Sequence, residues 1–245
     1  MERRSVVRYA IGIIALVAFV QGCTAQPPQR STFGLGDFMS SALKVLPYDS
    51  PPQVIYRIDD HRFVTLERYR DCHHGESYYN DTRAGIRKYL GRGMFENFQG
   101  RIVNADPTGK NIVLPLAYPD GLICGDGEKG CAVPLWYSTN GGKTFATMIY
   151  INNSFDTFEN SKRYGIYAAQ DRVYVEKLRQ YDSYVVSYPV ISGFVYDGKS
   201  ELPNKEHVNY DTSVPRGLRT PSGQDRITCD ASIRPTNPDA PLVPR

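Results

Sequence analysis

From Pro51 onward, apolar and polar positions alternate in runs of five to nine residues, and Gly, Asp, Asn and Pro clusters separate the runs. Period-two alternation bounded by turn residues is the signature of half-buried strands. It predicts strands over 54–58, 62–69, 100–104, 111–118, 133–138, 144–152, 164–168, 172–178 and 183–190. Turns are expected at Asp59-Asp60, Pro107-Thr108-Gly109, Asn140-Gly141-Gly142 and Asp197-Gly198. Helical spacing of Phe38, Leu43 and Val45 predicts a turn or two of helix over 36–46, while 85–98 and 171–181 fit either type of element. The fold class expected is all-β, mainly antiparallel, propeller-like or sandwich, with minor helix. The segment 201–245 is rich in Pro and lacks a regular strand pattern, so it reads as a C-terminal wrap or tail around a β-rich domain at 51–200.

The first 22 residues follow a different plan. Arg3, Arg4 and Arg8 precede an apolar run from Tyr9 to Val20, and Val20-Gln21-Gly22 leads into Cys23. The run is shorter than the roughly 20 residues that span a bilayer core, so it reads as a signal peptide. Val20-Gln21-Gly22-Cys23 resembles a bacterial lipobox, with Gln21 its less usual occupant. Cys23 is then the lipidation site and first residue of the mature chain, and 23–50 is a lipid-anchored tether with a short helical segment. Thr24, in place of Asp, directs the expected destination to the outer membrane, facing the periplasm.

Charge and cysteine content sharpen this outline. A formal net charge of +3, part of it in the leader, and no long Lys/Arg run argue against nucleic acid as a partner. Of the five cysteines, Cys23 is assigned to lipid, which leaves Cys72, Cys124, Cys131 and Cys229 as disulfide candidates in an oxidising compartment. Three pairings are open. The local one joins Cys124 to Cys131 around the turn Gly125-Asp126-Gly127-Glu128-Lys129-Gly130 and leaves Cys72 for Cys229.

The chemistry-bearing motifs are few. Ser138-Thr139-Asn140-Gly141-Gly142-Lys143-Thr144-Phe145 resembles the Asp-box turn of β-propellers, with Asn140 for Asp and Phe145 for Trp. Ser138, Asn140, Gly142 and Phe145 are its structural residues: oxygen-bearing side chains bond the turn backbone, glycine admits positive φ, and the ring packs on the sheet. Only one copy is evident, and at roughly 40 to 45 residues per blade the mature chain holds at most about five blades. Asp59-Asp60-His61 and His73-His74-Gly75-Glu76 are the nearest approach to paired acid and base groups, but read equally as a turn and a solvated loop. Cys72, His73, His74 and Glu76 lack a second ligand cluster at zinc-site spacing. With no phosphate loop, dinucleotide fingerprint or nucleophile elbow, no catalytic residue, metal ligand or cofactor is assigned.

The stretch 51–87 (PPQVIYRIDDHRFVTLERYRDCHHGESYYNDTRAGIR), preceded by the lipobox and followed by YSTNGGKTF, resembles a family of bacterial lipoproteins that are immunity proteins for type VI secretion lipase effectors. The resemblance implies a non-enzymatic, membrane-tethered periplasmic protein that binds and neutralises a cognate secreted phospholipase. The many tyrosines are candidate anchors for such an interface, but the sequence names no effector-binding residue. An exported propeller-like glycan-binding protein or hydrolase is the alternative. Replacing Cys23 by Ala is expected to release the protein from membranes. Undiminished recovery in the membrane fraction would refute the anchor.

Overall fold

The computed structural model describes residues 44–122, 128–180, 183–240 and 243–244. The leader, Cys23, most of the tether and Cys124 lie outside the described residues. Strands β2 (Gln53–Arg57), β3 (Arg62–Asp71), β4 (His74–Asp81) and β5 (Ile86–Arg92) form an antiparallel meander in that order. A second meander contains β7 (Ile112–Pro115), β8 (Cys131–Ser138) and β9 (Ala146–Ser154). The third sheet has five strands in the order β13 (Asn209–Asp211), β12 (Ser183–Pro189), β11 (Arg172–Leu178), β10 (Tyr164–Ala168) and β6 (Arg101–Asn104). Within it β6 runs parallel to β10, while the remaining pairs are antiparallel. A short antiparallel pair joins β1 (Lys44–Val45) to β14 (Val243–Pro244). One helix, α1 (Thr157–Ser161), is capped by the Asp156 carboxylate, which accepts from the Glu159 N–H at 2.9 Å. The fold is thus all-β and mainly antiparallel with minor helix, and the described residues form no closed barrel.

The alternating pattern locates nine strands, but misses β4 and the short β13 and β14 within 201–245, and leaves β5 ambiguous. The reason is visible in the inward-facing positions of β4, which are Gly75, Ser77, Tyr79 and Asp81, of which only one is large and apolar. Gly75 is small because it must be: a Cβ there would lie 2.5 Å from Tyr69 Cβ and 2.6 Å from a Leu66 methyl. Two further expectations change. His73-His74-Gly75-Glu76 is not a solvated loop, since Glu76 lies within β4 with no exposed surface. Lys44 and Val45 are extended in β1, not helical; the rest of the helix expected over 36–46 lies outside the described residues. The uncertain stretch 171–181 resolves mainly into β11.

All three larger sheets contribute to one apolar core, with Leu66 and Leu90 from the first, Leu114 and Leu135 from the second, and Ile166 and Val175 from the third. Asn104 stitches β6 to β7 where no backbone ladder runs: its side-chain oxygen accepts from Val113 N–H at 2.7 Å and its amide donates to Val113 C=O at 3.2 Å. Such a side chain copies a strand neighbour and satisfies buried backbone groups. The opposite face of the third sheet buries Val103, Tyr167, Tyr174 and Val185 beneath Val214 and Leu218.

The C-terminal segment lies along the outer edge of β2. Thr228 N–H donates to Ile55 C=O at 2.8 Å, Ser222 N–H to Ile58 C=O at 2.9 Å, and the Gln224 side chain accepts from Arg57 N–H while donating to Ile55 C=O. Cys72–Cys229 ties this segment to the end of β3 across a separation of 157 residues. Cys131 is also disulfide-bonded. In the loop-entropy view, so long a closure restricts the unfolded chain by up to about 5 kcal/mol. The double variant Cys72→Ser, Cys229→Ser is therefore expected to lose about 3 to 5 kcal/mol in urea unfolding and to become protease-sensitive near 220–230. An unchanged midpoint would show that the bridge restricts little.

Candidate functional site

The first sheet turns Val64, Leu66, Tyr79 and Leu90 to the core and presents a different set outward: Thr65, Glu67, Tyr78, Asn80, Arg87 and Tyr89. Strand alternation alone would have placed Gly91, not Arg92, beside Glu76. An extra residue at Leu90 shifts the register between Ser77 and Tyr78, and Gly91 takes φ 121°, a value that L side chains rarely adopt. Arg92 is thereby brought opposite Glu76. A second irregularity in β3, between Glu67 and Asp71, holds Arg68 at φ 44° and lets its side chain reach across to the same carboxylate. Two bulges therefore aim two guanidiniums at one buried anion.

The resulting network is continuous. Glu76 Oε2 accepts from Arg68 Nη2 at 2.5 Å, Arg68 Nε at 3.0 Å and the Tyr78 hydroxyl at 2.8 Å, while Oε1 accepts from Arg92 Nη2 at 2.9 Å. Burial by itself would raise the Glu76 pKa, but these donors outweigh it and hold the carboxyl at about 2. Burial and the neighbouring Glu76 push the Tyr78 phenol up to about 12. Alongside, Arg87 makes a fork onto Glu67, with both nitrogens at 2.8 Å, and lies 3.9 Å above the Tyr78 ring. Tyr89 packs against Tyr78 at 5.3 Å, and Arg57 covers the Phe63 ring at 5.3 Å. The anions sit beneath and the cations on top: Glu76 and Glu67 are 0% and 15% exposed, against 39% for Arg68 and 48% for Arg87. A partner would meet guanidinium edges and tyrosine rings already held in place, the residue types that dominate binding energy at interfaces.

Behind this face Glu96 is enclosed, and among the described residues no cation pairs with it. It accepts from Gly93 N–H at 2.8 Å, Met94 N–H at 3.2 Å and the Ser77 hydroxyl at 2.8 Å. Burial outweighs these donors and raises its pKa to about 7. It ties the turn after β5 to β4 and so supports the bulge that positions Arg92.

The two groups of acid and base candidates read from the sequence lie at opposite ends of the β3–β4 pair, with Asp59, Asp60 and His61 gathered beside Asp81 at one of them. Asp59 accepts from the His61 and Arg62 N–H groups and pairs with the Arg62 guanidinium at 2.5 Å, which makes Asp59-Asp60-His61 a hairpin turn; His61 Nδ1 lies 2.9 Å from Asp81. His73 bonds Asn97 at 3.1 Å, and His74 bonds Asp71 at 2.7 Å. Cys72 is spent in its disulfide and Glu76 on two arginines, so these four residues are not arranged as a ligand set. At 138–145, the Ser138 hydroxyl accepts from Asn140 and Gly142 N–H, and Asn140 Oδ1 accepts from Thr144 N–H. Gly142, at φ 83°, approaches Tyr79 so closely that a Cβ would fall 2.3 Å from the ring, and Phe145 packs on Tyr79 and Trp136. This turn buttresses the sheet from its inner side. Among the outward residues only Glu76 had drawn notice in the sequence, as an acid candidate. The signal that finds the others is the polar alternation of Thr65 with Glu67, Tyr78 with Asn80, and Arg87 with Tyr89.

The two glutamates have opposite pH signatures. Glu76, with its folded pKa depressed, contributes stability that is present above about pH 4.5 and lost as pH falls toward 2. Glu96, with its folded pKa raised, contributes stability that is present below about pH 4.5 and lost as pH rises through about 7. In urea unfolding across pH, Glu96→Gln should flatten the decline between pH 4.5 and 7. Glu76→Gln should flatten the acid limb and cost about 3 kcal/mol at neutral pH, the low end for breaking a buried pair because Arg68 stays partly solvated. Unaltered profiles would contradict both assignments.

The β2–β5 sheet falls entirely within the segment that matches a known family. No curated protein matches the chain. The model of the T6SS Tli3 immunity protein family matches residues 48–177, from just before β2 to Lys177 in β11. On that match, which spans more than half of its length, the chain belongs to the Tli3 family of type VI secretion system immunity proteins.

Proposed function

We propose that this immunity protein is a periplasmic inhibitor, lipid-anchored through Cys23, which binds a type VI secretion phospholipase effector and blocks it at the membrane. The family match over 48–177 carries the reading, because it contains the whole Arg- and Tyr-lined sheet. The lipase and membrane components rest on the sequence: the lipobox-like Val20-Gln21-Gly22-Cys23 and the resemblance of 51–87 to immunity lipoproteins for lipase effectors. An anchor to the outer membrane would hold the inhibitor beside its target's substrate. Inhibition requires a rigid complementary surface and no turnover, and the outward face is stiffened by paired charges before any partner arrives. The alternative of an exported hydrolase draws on acid and base candidates that are held in structural contacts.

Co-expression with the lipase encoded beside its gene, directed to the periplasm, tests the proposal. Cells carrying the full chain should survive the lipase and yield a co-purified complex. Cell death at the rate seen without the chain, with no complex, would sink the proposal.

A further inference from the structure

The third sheet carries a polar cavity on the face turned away from the main core. β11, β12 and β13 set Tyr174, Ser187 and Asn209 directly opposite one another, and this row across the strands lines the cavity. Asp211, two residues beyond Asn209, faces the same way. The segment after β13 supplies a wall: Val214 packs on the apolar cluster of Val103, Tyr167 and Val185, and Arg216 lines the cavity beside it. The cavity measures about 390 Å³. That lies within the roughly 300 to 1,000 Å³ typical of small-molecule sites.

Its polar groups are unevenly matched. Ser187 is 1% exposed and donates to Asp211 at 3.2 Å, while the Arg172 guanidinium donates to the Ser187 carbonyl at 3.2 Å and lies 3.8 Å from Glu206, which balances its charge. These contacts belong to the fold. Tyr174 differs: it is only 9% exposed, yet its hydroxyl has no hydrogen-bond partner among the described residues. A tyrosine hydroxyl so deeply placed ordinarily has one. Burial raises the Tyr174 pKa, and Asp171 and Asp211 raise it further against Arg172, so the phenol keeps its proton. Among the described residues Asp171, Asp211 and Arg216 make no ion pair, although all three line this one cavity. Carboxylates and a guanidinium thus face a shared space without meeting across it. A ligand of one charge would satisfy one side and oppose the other.

We propose that the cavity binds a small zwitterion, with its ammonium donating to Asp211, Asp171 and the Tyr174 hydroxyl oxygen and its anionic group held by Arg216. Two sources supply this chemistry: free amino-acid-like solutes and the ethanolamine phosphate headgroup of a phospholipid. Ser187, Asn209, Asp211 and Arg216 lie beyond the family match at 48–177, so failure of this proposal leaves the immunity reading intact.

Titration calorimetry on the full chain in uncharged maltoside micelles tests the site with phosphoethanolamine and γ-aminobutyrate, and with ethanolamine and inorganic phosphate as single-charge controls. The tighter zwitterion should bind at least about tenfold better than either control. Asp211→Asn, which keeps an acceptor for Ser187, and Arg216→Gln should each weaken it by about tenfold, and Tyr174→Phe by about threefold. Circular dichroism and the unfolding midpoint show whether each variant is folded. Amide hydrogen exchange separates the sources: protection of 209–211 in phosphatidylethanolamine vesicles, but not in phosphatidylglycerol vesicles, assigns the headgroup, and protection by the free zwitterion alone assigns a solute. Either result supports the site. No binding of either zwitterion, a single-charge control that binds as tightly, or undiminished binding by folded Asp211→Asn or Arg216→Gln overturns it.

Discussion

Glu76 is a carboxylate with no exposed surface in the middle of an outward-facing sheet, and the organisation of that face follows from satisfying it. A buried charge is tolerable only when paired and hydrogen-bonded. The chain meets that demand with Arg68, Arg92 and the Tyr78 hydroxyl, and bends both neighbouring strands out of regular register to do so. The bulges are needed because a regular strand would send these arginines elsewhere. Once held, Tyr78 is a fixed platform for Arg87 and Tyr89. The same demand that stabilises the sheet thus presents cations and rings to solvent with little freedom left to lose. Preorganisation of this kind lowers the entropic cost of binding.

The rest of the molecule serves as a frame for this sheet. Glu96 braces the turn behind it, and the 138–145 turn presses Gly142 and Phe145 against Tyr79 from the core side. The C-terminal segment closes one edge, and its disulfide keeps it there. This segment has the composition of a tail, yet its backbone groups pair with Ile55, Ile58 and Ile102, and Val214 and Leu218 cover a second apolar cluster. Proline-rich chain can do this because edge contacts need only some of its donors. The covered β2 edge is therefore built into the fold.

Most strands were legible because their buried positions are Val, Ile, Leu and Tyr at a period of two. The failure at β4 is instructive. Its inward positions include Gly75 and Ser77, chosen for close approach to Tyr69 and Leu66 and for bonding Glu96, so the apolar signal vanishes where packing is tightest. The candidate surface was illegible for a related reason. Arg68, Glu76 and Arg92 are far apart in the pattern and meet only through two bulges, which hydrophobic periodicity does not encode. Asp59, which looked like part of an acid–base pair, caps its own turn, because short polar side chains bond the nearest backbone first.

By itself the sequence determined the all-β class, the positions of most strands and the family to which 51–87 points. These depend on local composition and short-range spacing, which a linear chain displays directly. Tertiary structure alone decided the partner of Cys72, which sheet edge is covered, and how Glu76 gathers arginines from β3 and β5. Those outcomes depend on register and on which distant segments touch. Burial then sets their electrostatics, since a carboxylate ordinary in sequence becomes, once enclosed, the charge that its neighbours must be arranged to match.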